Sequence, residues 1–127
     1  MRIVKGISIC AVVAICFLVL HGCGGKKADA NKPISEAKAE AEKMDVGQLR
    51  NMAMAYKEAI VAKKVDLDKV AAKLKEIPVT ELLGEKAKNL KTDIENLNKA
   101  VNALKERFEV YYQKLKEKSG NLSGLEL

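Results

Sequence analysis

Val46, Leu49, Ala53, Tyr56, Ile60, Lys63, Leu67, Val70, Leu74 and Ile77 advance along the chain in alternating steps of three and four. That is a heptad, the spacing that keeps one apolar seam on one face of a supercoiled helix. Pro78-Val-Thr-Glu-Leu-Leu-Gly84 interrupts it. Proline lacks the amide donor and clashes with the preceding turn, and glycine is free to adopt a positive φ. A second and cleaner heptad then runs through Ala87, Leu90, Ile94, Leu97, Val101, Leu104, Phe108, Tyr111 and Leu115. Lys114, Lys116 and Lys118 favour the negative end of this helix, and Ser119-Gly120 is expected to stop it.

The two seams predict an antiparallel hairpin over residues 46–118, with arms 46–77 and 85–118 and a turn at 78–84. Each arm would be about 48 Å long at 1.5 Å per residue. A mirror point at Leu82 places Ile77 opposite Ala87, Lys63 opposite Val101, Tyr56 opposite Phe108 and Leu49 opposite Leu115. Lys63 at a seam position is expected to lay its stem on the seam and hold its ammonium in water.

Met52, Ala59, Ala62, Ala71, Ala100, Ala103 and Tyr112 widen the apolar face beyond what two helices need, and a two-helix hairpin buries little surface. Residues 35–44 (SEAKAEAEKM) are rich in strong helix formers and carry a thin apolar line at Ala37, Ala41 and Met44. Asp45-Val-Gly-Gln48 has the form of a capping box, with a break expected near residues 44–47. Either residues 35–44, read as a short spacer helix, fold back as a third member, or two hairpins pair as a homo-oligomer. The expected fold class is all-α: a long, coiled-coil-like helical hairpin with a short third helix.

The front of the chain has a different pattern. Arg2 and Lys5 precede an apolar run from Gly6 to Leu20, followed by Leu20-His-Gly-Cys23. A basic start, a short apolar stretch and a small residue before a cleavage site describe an export signal. The run is shorter than the ~20 apolar residues that span a bilayer. Leu20-His21-Gly22-Cys23 resembles the lipobox of bacterial lipoproteins, with His21 where a small residue is usual. That resemblance implies cleavage between Gly22 and Cys23 and a lipid anchor of the palmitate type on Cys23. Residues 1–22 would be the signal peptide and 23–34 the lipidated cysteine with a flexible tether. The protein would then sit in the cell envelope, held to its membrane by lipid. Gly24, where an aspartate would retain a lipoprotein at the inner membrane, favours the periplasmic face of an outer membrane where one exists.

This reading changes what the composition permits. The chain carries 23 basic and 17 acidic residues, one histidine, three cysteines and no tryptophan. Cys10, Cys16 and His21 belong to the expected signal, and Cys23 would be acylated. The mature domain is left without a His- or Cys-based zinc site or a nucleophile–histidine pair. Mixed charges suit a solvated helical surface, and no nucleic-acid partner is expected.

Individual motifs add little chemistry. Ser35-Glu-Ala-Lys38 matches the S-x-x-K element of penicillin-binding proteins and β-lactamases, but no SDN or KTG element accompanies it. Ser35 is instead expected as a helix N-cap. Glu36/Glu40 and Glu81/Glu85 each lie on one helical face, where a pair of carboxylates can hold a weak divalent ion, but lysines surround them and they are read as ordinary helix-surface charges. No catalytic residue, metal ligand or cofactor is assigned. Val79, Leu82 and Leu83 at the hairpin tip are the candidate partner contacts, as a compact apolar knob. Leu122, Leu125 and Leu127 lie in residues 119–127, expected as a flexible tail.

The function that follows is non-enzymatic: a lipid-anchored helical spacer, scaffold or accessory subunit that meets a protein or cell-wall partner. A lipidated cysteine followed by heptads is similar in layout to murein lipoprotein, although Leu125-Glu-Leu127 does not match that family's terminal lysine. The alternative is a surface-exposed lipoprotein that binds a ligand or host molecule in a groove between helices.

Overall fold

A computed structural model describes residues 27–127. The expected signal peptide (1–22), Cys23 and residues 24–26 lie outside the described residues. Three helices carry the fold: α1 (Ile34–Lys43), α2 (Val46–Lys75) and α3 (Glu85–Glu117), with a single 3₁₀ turn at Val79–Glu81. Among the described residues there are no strands. The fold is all-α, a long hairpin with a shorter third helix.

Local chemistry sets the boundaries. α1 starts one residue earlier than expected, with Pro33 rather than Ser35 at the N-cap and no side-chain cap hydrogen bond. A proline tolerates that place because the first amides of a helix have no partner within it. Asp45 and Gln48 form the expected capping box: the Gln48 amide donates to Asp45 Oδ1 at 2.8 Å, and the Asp45 amide to Gln48 Oε1 at 3.1 Å. Gly84 departs from expectation. Its φ is −71°, and it serves as the N-cap of α3. Glycine is favoured there by close approach, since a Cβ would stand 3.0 Å from the Glu81 carbonyl oxygen.

Among the described residues, left-handed backbone occurs beyond the other end of α3, at Ser119 with φ 55° and at Gly124 with φ 79°. The Ser119 amide donates to Lys116 O at 3.0 Å and the Gly120 amide to Leu115 O at 2.9 Å, the two bonds of a Schellman cap. A non-glycine residue is strained in this region of φ. Ser119→Gly is therefore expected to stabilise the fold by about 0.5–1 kcal/mol, read as a higher midpoint in urea unfolding.

The core gathers at one end of the hairpin. α1 contributes Ala37, Ala41 and Met44, α2 Leu49, Met52, Ala53, Tyr56 and Ile60, and α3 Val101, Leu104, Phe108, Tyr111 and Leu115. α1 folds back along α3, so the third-member arrangement is the one seen. Its 10 residues cover only about 15 Å of a hairpin roughly three times as long. Beyond that cover, Lys63, Leu67, Val70, Leu74, Leu90, Ile94 and Leu97 are half-buried between two helices. Ile77 and Ala87 close the far end. The molecule thus has a thick three-helix base and a thin two-helix shaft.

Three details differ from the reading of the seams. Tyr56, expected opposite Phe108, stacks on Tyr111 with ring centroids 5.5 Å apart, while Phe108 stacks on Tyr112 at 5.4 Å. Residues 28–33, expected as part of a flexible tether, pack on the base: Ala28 and Ala30 lie against the core and Tyr56 holds Asp29. Residues 119–127, expected as a loose tail, run along α2. Arg50 donates to the carbonyls of Asn121 at 2.6 Å and Ser123 at 2.7 Å, Lys57 donates to that of Gly124 at 2.9 Å, and Leu125 is buried. In both segments, backbone carbonyls meet long cationic or phenolic side chains from the helices, a pairing that apolar periodicity does not report.

Candidate interaction surface

Pro78 cannot continue α2 and Gly84 starts α3, so residues 78–84 must reverse the chain within one short turn. The Glu81 amide donates to Pro78 O and the Gly84 amide to Glu81 O, both at 2.9 Å. These bonds fold the backbone inward and turn side chains outward. Val79 is 84% exposed and Leu83 is 85% exposed, while Leu82 is half-buried. Of the three tip residues expected to meet a partner, two stand in solvent and Leu82 turns partly toward the shaft. Beside them lies a cleft of about 490 Å³ lined by Lys73, Glu76, Ile77, Pro78, Glu81, Lys86 and Leu90. Two exposed aliphatic side chains with a mixed-charge collar suit docking to an apolar depression.

At the base, polar groups join the elements. The Tyr56 hydroxyl donates to Asp29 O at 3.1 Å and accepts from the Asp29 amide at 3.3 Å. The Tyr111 hydroxyl donates to Glu40 Oε2 at 3.2 Å, and Lys32 pairs with the same carboxylate. Arg107, buried, donates from Nε to Lys32 O and from Nη1 to Ala103 O, each at 2.7 Å. Lys118 Nζ donates to Met44 O at 2.7 Å, and Lys114 pairs with Glu42 and Glu117. Burial, then the nearby Glu40 charge, pushes the Tyr111 phenol up to about 12. The hydrogen bond to Glu40 raises Lys32 above the ordinary lysine value. Among the described residues no buried side-chain nitrogen or oxygen lacks a partner, so this network is structural cross-bracing.

The other sequence candidates are dispersed. Ser35 and Lys38 are both exposed on α1. Glu36 is exposed, and Glu40 is engaged by Lys32 and Tyr111. Glu81 and Glu85 are exposed at the tip, and Lys63 is half-buried on the seam. Among the described residues no group of three or more His, Cys, Asp or Glu is placed to hold a metal ion. No described helix is long and apolar enough to cross a membrane. Gly22 and Cys23 lie outside the described residues.

Sequence reasoning missed Arg107, Arg50 and Lys57, the residues that tie segments 28–33 and 119–127 to the base. The one available signal was Arg107 itself, flanking the best apolar run of α3. Comparison with protein-family models, curated proteins and solved structures finds no match.

Proposed function

We propose that this chain is a non-enzymatic, lipid-anchored protein of the cell envelope, acting as a helical spacer or accessory subunit. Cys23 carries the lipid after cleavage behind Gly22, the three-helix base is the rigid mount, and the shaft presents the tip to a protein or cell-wall partner. The observation that carries this reading is the division of the molecule. Packing is concentrated at the end where the chain leaves toward Cys23, and the opposite end displays Val79 and Leu83 on a turn fixed by Pro78 and Gly84. A catalytic domain encloses its chemistry in a cleft; among the described residues this one places its most exposed large hydrophobic side chains at its extremity.

A photo-crosslinking amino acid at Leu83 tests it in cells. The expected result is one discrete adduct from position 83, weakened by Val79→Ser, and none from Lys64 on the shaft. Equal adducts from both positions would contradict a tip that docks.

A further inference from the structure

The first-packed residue lies close to the expected anchor, and this limits where the molecule can stand. Ala28 already lies against the core, the Asp29 backbone is held twice by the Tyr56 hydroxyl, and Arg107 Nε holds Lys32 O. A turn joins these points, with the Lys32 amide donating to Asp29 O and the Asn31 amide to Asp29 Oδ1. Residues 28–33 are therefore a strap on the bundle, and five residues of chain from Cys23 to Ala28 can reach at most about 17 Å.

We infer that the strap holds the α1 flank of the base, residues 27–43, against the bilayer that Cys23 enters. This rests on the lipid-anchor reading above. The lipid surface is the occupant because the chain from Cys23 meets the bundle at Ala28, next to α1, only five residues on, which keeps this flank nearest to the bilayer. From Tyr56 to the end of α2 is about 29 Å of helix. With that stretch of chain fully extended, the tip stays within about 50 Å of the membrane. A wholly free tether from Cys23 to Ile34 could extend about 20 Å further. Residues 27–43 carry Lys27, Lys32, Lys38 and Lys43 against Asp29, Glu36, Glu40 and Glu42, and Lys32 is already paired with Glu40, so the flank is neutral. Placement is thus set by the strap and not by attraction to anionic lipid.

The test uses full-length protein extracted from membranes and reconstituted in phosphatidylethanolamine/phosphatidylglycerol vesicles carrying a headgroup-bound fluorescence quencher. Single labels are placed through Ala39→Cys on exposed α1 and Leu83→Cys at the tip. The expected result is several-fold stronger quenching at position 39 than at 83, unchanged by added salt. Tyr56→Phe keeps the aromatic ring and removes the hold on Asp29, and it should reduce that contrast without loss of helical circular dichroism. Equal quenching at both positions, or a contrast that salt abolishes, would overturn the strap. The mass of the amino-terminal peptide separates the two readings. Acyl-modified Cys23 with flat quenching sinks the strap alone, and unmodified Cys23 sinks both.

Discussion

Tyr111→Ala is expected to cost about 3–5 kcal/mol of folding stability, while Tyr111→Phe should cost only about 1 kcal/mol. Tyr111 is fully buried and stacked on Tyr56, and its hydroxyl meets Glu40 of α1. Truncation opens a cavity where all three helices converge and strips the partner from the second buried ring. A small domain has roughly 5–15 kcal/mol in total, so the alanine variant should lose much of its margin. Because the base holds most of the core, the shaft offers little to compensate. Urea unfolding followed by circular dichroism reads both variants; similar midpoints for alanine and phenylalanine would show that the ring is not the keystone of the base.

The same residue gives a pH signature. Tyr111 titrates near 12 in the folded chain, against about 10 when unfolded. The folded state therefore binds its proton more tightly, so this contribution is full below pH 10 and is lost as pH rises toward 12. Lys32, also raised, acts in the same direction. Wild-type stability should fall over that window, and Tyr111→Phe should flatten the fall.

Much of the fold was legible because it rests on period and punctuation. The seams through Tyr56 and Tyr111, the break from Pro78 to Gly84 and the Asp45–Gln48 box are local signals, and each appears in the structure. The cap at Ser119 was legible only as a stopping place, since serine is an uncommon occupant of left-handed backbone. The packing of residues 28–33 and 119–127 was not legible. It depends on Tyr56, Arg107, Arg50 and Lys57 reaching backbone carbonyls many residues away, and such bonds leave no periodic trace. The tip was partly legible: its apolar residues stand out in the sequence, but that Val79 and Leu83 face solvent while Leu82 is half-buried depends on the 3₁₀ turn.

This geometry refines the role of the amino-terminal cysteine. With 28–33 strapped to the base, the lipid proposed on Cys23 would act on a rigid body through a very short link, and its loss would remove that placement. In the proposed arrangement the lipid on Cys23 carries the attachment, since a nearly neutral flank supplies little electrostatic hold. Dual acyl chains hold a protein stably at a membrane, while a domain without them partitions freely into solution. Cys23→Ser should therefore convert a membrane-bound protein into a soluble one or stall it with its signal uncut, while helical content after residue 27 stays unchanged.

The decisive measurement is the distribution of wild-type and Cys23→Ser protein between washed membranes and soluble fractions, together with the mass of the wild-type amino-terminal peptide. Wild type is expected in the membrane with an acylated Cys23 as its first residue, and the serine variant either soluble or retained only as the longer, uncleaved precursor. A processed serine variant that stays in the membrane like wild type, or a wild-type peptide with an unmodified Cys23, would contradict the lipid anchor.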